Sequence, residues 1–180
     1  MTVTVTPTLG PTDSWTVIDT DVGEMMVIGD DEAVHFVHLP GSFAVDAFDP
    51  QRRAAPGAVR AAVEQIDAYF GGELTAFSLP LDPAGTDFQR RVWFALAEIP
   101  YGTTESYGEL ALRVGNPKAC RAVGLANGRN PIPLVLPCHR VIGANGNLTG
   151  YGGGLELKRR LLDHEQIAPA PAAGRRRQAS

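Results

Sequence analysis

The chain has 180 residues, 44% of them hydrophobic, and a net charge of −4. That length and composition suit one or two small domains able to bury a core, and the charge excludes a generally basic, nucleic-acid-coating protein. No apolar run approaches the ~20 residues that span a bilayer, so neither a membrane span nor a membrane partner is expected.

The charge is unevenly placed. Residues 1–100 carry 5 basic and 15 acidic side chains, whereas residues 101–180 carry 11 basic and 5 acidic ones. A polyanion would be met by the C-terminal half. Only two cysteines occur, Cys120 and Cys138, and no secretory pattern opens the chain, so free thiols and a cytoplasmic setting are expected.

Residues 1–13 read as a frayed leader. Three short apolar runs follow, at 15–18, 24–28 and 33–37, separated by Gly and Asp clusters that suit hairpin turns. They predict a small antiparallel sheet. His35 and His38 fall on or beside the third strand, and with no other Cys or His in this half they read as structural. Residues 40–56 read as loop. After Pro56, a helix over 57–70 is predicted from Val59, Val63, Ile66 and Phe70 at helical spacing, ended by Gly71 and Gly72. Residues 82–85 read as the linker between an N-terminal domain, 1–82, and a C-terminal one, 83–166.

Thr86 and Gln89 have capping-box spacing and open a helix to about residue 98, buried along Phe88, Val92, Leu96 and Ile99 with Trp93 alongside. Ser106 and Glu109 form a second box before a short helix that Gly115 stops. Asn116 and Pro117 suit an N-cap and first helical position for a small-residue, basic helix over 117–127. Two short helices joined by a turn fit a helix-turn-helix or a plain helical corner. The small residues Ala122 and Gly124 would let this helix approach another backbone closely, with Arg121 protruding.

The apolar run 132–136 reads as a buried strand ending at Pro137, with Cys138 and His139 next and a glycine-rich return over 143–154. A last helix is predicted over 155–165, and 167–180 has the composition of a disordered tail. A reactive thiol needs its proton removed, and His139 is the nearest base. Glu165, or its competitor Asp163, could hold the imidazole.

From residue 85 to 165 the chain resembles the O6-alkylguanine-DNA alkyltransferases. The resemblance rests on GTDFQRRVW (85–93), IPYGTT (99–104), SYGELA (106–111), GNP (115–117), RAVG (121–124), NP (130–131), PCHRV (137–141), GY (150–151), GG (153–154), LL (161–162) and HE (164–165). It implies an α/β (α+β) fold: a small N-terminal antiparallel sheet plus helix, ribonuclease-H-like, then a mainly helical domain with a helix-turn-helix. It implies single-turnover, irreversible transfer of an alkyl group from O6-alkylguanine in duplex DNA, with O4-alkylthymine a further candidate. Cys138 would be the acceptor, activated by His139 through a water, with Glu165 polarising the histidine and Asn130 holding the turn. Tyr107 would donate to the guanine and press on the 3′ phosphate. Arg121 would fill the gap left by the flipped nucleotide. Tyr151, Gly152 and Val141 would line the base site, and Ser106, Ala122, Gly124 and Arg140 would meet DNA. No cofactor or metal is implied, and a monomer able to assemble cooperatively on DNA is expected. A non-reacting binder of alkylated DNA and a Cys-His-Glu thiol hydrolase are the competing readings.

Overall fold

The computed structural model describes residues 9–166. The expected disordered tail and the first eight residues of the expected leader lie outside them. Asp13, placed in the leader by the sequence reading, is buried and bonded to His35 at 2.6 Å.

Three strands, β1 (Ser14–Ile18), β2 (Met25–Gly29) and β3 (Val34–His38), form an antiparallel sheet in that order. The two-residue alternation of β2 sends its side chains into two cores. Met25 and Val27 join the main core, while Met26 and Ile28 pack with Trp15 and Phe48. Helix α1 (Gly57–Phe70) covers the sheet. Its buried stripe is Ala58, Val59, Ala62, Ile66 and Tyr69. Val63 and Phe70, expected inside, are only half-buried, because the stripe is rotated so that Tyr69 points inward. Two short 3-10 turns, Val45–Ala47 and Pro50–Arg52, occupy the stretch read as loop.

Helix α2 (Asp87–Ala97) begins with both halves of its capping box formed at Thr86 and Gln89. Trp93 donates its indole N–H to the Ala126 carbonyl at 2.8 Å, locking α2 to the helix that carries Ala126. Gly85 lies so close to this indole that a Cβ there would sit 2.5 Å from the ring, closer than any packed carbon tolerates. Helix α3 (Tyr107–Arg113) is capped by Ser106 and Glu109 as the sequence predicts. Helix α4 (Cys120–Gly128) begins three residues later than expected. Asn116 and Pro117 start a turn instead, closed by the Ala119 amide on the Asn116 carbonyl at 2.9 Å. This leaves Arg121 in the exposed first turn of α4. The last helix, α5 (Gly154–His164), packs by Leu157, Leu161 and Leu162.

One continuous core runs from the sheet through α1 to α2–α5. The outer edge of β3 is occupied: Val37 donates to the Pro131 carbonyl and Val34 to that of Pro80, both at 2.9 Å. The N-terminal sheet therefore braces the segment just ahead of Cys138. Among the described residues, no helix is long and apolar enough to cross a membrane.

Candidate active site

The expected strand over 132–136 does not form. Pro131 and Pro133 have no N–H to give a ladder, and the chain makes a compact turn with Leu134 at φ 75°. A buried β-branch-free leucine in the left-handed region costs on the order of 1–2 kcal/mol. Asn130 supplies the missing bonds. Its Oδ1 accepts from the Ile132 amide at 3.0 Å, and its Nδ2 donates to the Leu136 carbonyl at 2.7 Å. Asn130→Ala removes both; the Leu136 carbonyl keeps the Cys138 amide, but the buried Ile132 amide is left unpaired at about 1–3 kcal/mol; thermal unfolding should show a lower Tm, and an unchanged Tm would contradict this bracing role.

The turn delivers Cys138, His139 and Arg140 on one 3-10 turn, Cys138–Arg140. A two-residue parallel pairing follows, β4 (Glu105–Ser106) with β5 (Val141–Ile142), fastening the turn's exit to the start of α3. Cys138 is 5% exposed. Burial pushes its thiol up to about 11, against the opposing pull of an Asn130 hydrogen bond and the Lys158 charge. The resting sulfur is therefore protonated at neutral pH.

His139 is fully buried, and its Nε2 meets Glu165 Oε1 at 2.8 Å. Its Nδ1 has no hydrogen-bond partner among the described residues. Burial lowers the imidazole's affinity for a proton, with Glu165 opposing, so the ring is neutral at rest and donates from Nε2. Burial tends to raise the Glu165 carboxyl, but hydrogen bonds from His139 and Arg140 outweigh it and bring it down to about 2. The competitor Asp163 is exposed and takes no part.

Arg140 corrects an expectation. The family resemblance assigns it to DNA, yet its guanidinium is buried. Its Nε donates to Glu165 Oε2 at 2.9 Å, its Nη2 to Oε1 at 2.9 Å and its Nη1 to the Ile99 carbonyl at 2.6 Å. A side chain held by three such bonds cannot reach a phosphate.

Tyr151, Gly152, Gly153 and Gly154 form one wall of a cleft of about 340 Å³, and Pro40, Gly41 and Ser42 form the other. Cys138 is not among its lining residues. The Tyr151 hydroxyl is buried without a partner among the described residues, and that burial holds it well above the ordinary phenol range. The Val141 carbonyl, expected at the base site, accepts from Lys158 Nζ at 2.6 Å. Tyr107 sits half-buried at the start of α3 with its ring against Gly124 of α4. Ser106 is committed to capping. Arg121 and Ala122 are exposed, and Arg121 forms no ion pair among the described residues.

Sequence reasoning missed four features. The loop Pro40–Ser42 is far away in the chain from the cleft it borders. Tyr69 of α1 donates to Glu165 Oε1 at 2.7 Å. Lys158 is fully buried, and its Nζ also donates to the Thr149 carbonyl at 3.0 Å; burial brings it down to about 8. Its place in the apolar stripe beside Leu157 and Leu161 was the available signal. Asp13 and Asp30 join His35 as a group whose ligand atoms lie within 4.8 Å of one another. His38 instead packs at tilted and edge-on angles among Phe36, Phe43 and Phe48, and burial lowers it to about 4.

Two protein-family profiles match the chain: the 6-O-methylguanine DNA methyltransferase ribonuclease-like domain over residues 14–83, and the DNA-binding domain of the same family over 87–167. A methylated-DNA–protein-cysteine methyltransferase of Mycobacterium tuberculosis is 51% identical over 158 residues, covering 86% of this chain and 93% of the relative. One from Methanosarcina acetivorans is 48% identical over 152 residues, covering 84% and 97%. Among solved structures, the M. tuberculosis protein in complex with DNA superposes with a TM-score of 0.76 at 49% identity, covering 87% of this chain and 96% of that one.

Proposed function

We infer the role of this chain from one premise: it belongs to the 6-O-methylguanine DNA methyltransferase family, whose two domain profiles together span most of its length. It binds DNA and repairs it by transferring an alkyl group to a cysteine. Cys138 is the acceptor in our reading, and O6-alkylguanine in duplex DNA is the substrate. The observation that carries this reading is the buried pair of neutral His139 and ionised Glu165 at 2.8 Å, with His139 on the same turn as buried Cys138 and one ring nitrogen left over among the described residues.

The chemistry follows from these residues. The alkyl carbon on O6 lies inside the base stack, so the nucleotide must be everted, at a cost of a few kcal/mol. Arg121, exposed at the start of α4, is our choice of side chain to enter the stack and offset part of that cost. The Cys138 sulfur attacks the alkyl carbon as the carbon–O6 bond breaks, and guanine departs with the electron pair. The thiol proton passes through one water to His139 Nδ1, which has no direct partner among the described residues. Glu165, held ionised, stabilises the imidazolium formed. Tyr107 and the Tyr151 hydroxyl are the donors available to the departing oxygen. The product is an unactivated thioether, whose carbon–sulfur bond water does not cleave, so each molecule reacts once.

Intact-mass analysis after mixing with methylated duplex tests the reading. One added methyl per protein is expected. No addition would make the chain a pure binder, and continuous product release would make it a hydrolase. Arg121→Ala should slow transfer from duplex by on the order of 10–100-fold, the kinetic equivalent of a few kcal/mol of restacking. Transfer from a free alkylated base should barely change. An equal loss on both substrates would remove the stacking role.

A further inference from the structure

The N-terminal domain reaches into the centre of the relay. We propose that Tyr69, on α1, is a positioning residue for alkyl transfer: its hydroxyl donates to the same Glu165 oxygen that holds His139, and so sets how strongly that carboxylate draws the imidazole's proton.

The contact is 2.7 Å long and fully buried, between residues 96 positions apart. Tyr69 is itself held on several sides. Its ring stacks on Phe77 and meets Phe70 and Tyr101 edge-on. Its carbonyl accepts from His164 Nε2 at 2.9 Å. Burial and the Glu165 charge keep the phenol protonated throughout the working pH range, so it is a permanent donor. Glu165 Oε1 thus receives Tyr69, His139 and Arg140, and Oε2 receives Arg140 and, at 3.3 Å, the Gly102 amide. The other titratable or charged groups around the relay are Cys138, Lys158, Tyr101, Tyr151 and His164.

Hydrogen bonds that share one oxygen compete for its electron density. A phenol on Oε1 makes the carboxylate a weaker acceptor for His139. With the phenol removed, Glu165 would draw the imidazole proton more strongly and stabilise imidazolium. His139 would then stay protonated to higher pH and be unavailable as the base. The acid limb of the transfer rate should therefore move upward in pH in Tyr69→Phe, which keeps the ring packing.

This inference rests on the reading of Cys138 as acceptor, and the test separates the two. Single-turnover methyl transfer from methylated duplex is measured across pH for the wild type, for Tyr69→Phe and for a protein carrying 3-fluorotyrosine at position 69. A wild type that takes up no methyl ends the parent reading. Given an active wild type, Tyr69→Phe should be about 3–10-fold slower on the acid limb of the rate profile, with DNA affinity unchanged and that limb displaced upward. Fluorotyrosine, a stronger donor of nearly the same shape, should move the limb downward, and it decides the matter if Tyr69→Phe does not fold. Variants whose folded fraction reacts with the wild-type limb would reduce Tyr69 to a packing residue and overturn the proposal.

Discussion

Cys138→Ala is expected to abolish alkyl uptake while leaving affinity for methylated duplex within a small factor of wild type. The sulfur is the only group in the relay that can become the thioether, so no partial activity should remain. Binding should persist because the surfaces assigned to DNA, Arg121 and Ala122 on α4 and Tyr107 on α3, make no contact that the substitution removes. Truncating Cys138 deletes one small buried atom, and the turn is braced by Asn130 rather than by the thiol. Stability should fall only slightly. A gel-shift titration and an intact mass on the same sample separate the two quantities. Methyl uptake by this variant would move the acceptor elsewhere, with exposed Cys120 the first candidate.

Glu165→Gln is expected to damage both stability and rate. The carboxylate is buried and faces Arg140 through a two-pronged pairing. Neutralising it leaves a buried guanidinium uncompensated, which costs about 3–5 kcal/mol. The rate should fall by on the order of 10²–10⁴ because the imidazolium loses its counter-charge. The pH dependence has a definite sign. The Glu165 carboxyl titrates near 2 when folded, below the ordinary carboxylate range. Its contribution is therefore present above the ordinary range and is lost as pH falls toward 2. Acid unfolding of the wild type should steepen in that window, and the Gln variant should lack this component. Identical acid profiles for the two proteins would show that the pair contributes nothing.

Much of this was legible in the chain itself. The capping boxes at Thr86 and Ser106 set the starts of α2 and α3 through bonds local to four residues. Helix α1 ended where Gly71 and Gly72 stand. The pairing of His139 with Glu165 was also anticipated, through the family resemblance. What escaped notice depends on packing across long separations. Tyr69 falls on a helical stripe like any core aromatic, and only the fold brings Glu165 to its hydroxyl. Arg140 adjoins the nucleophile and is basic, which suggests DNA; its burial follows from the carboxylate arriving from α5. The run 132–136 reads as a strand because its residues are apolar, although Pro131 and Pro133 already argue against a ladder. Helix α4 starts late because Asn116 closes a turn rather than a cap.

The central claim is that one sulfur accepts one alkyl group and keeps it. The direct measurement is peptide mapping after exposure to an excess of methylated duplex. The account predicts S-methylcysteine at Cys138, one per molecule, unchanged by longer incubation or fresh substrate. Methyl found on any other residue, or repair continuing beyond one lesion per protein, would contradict it.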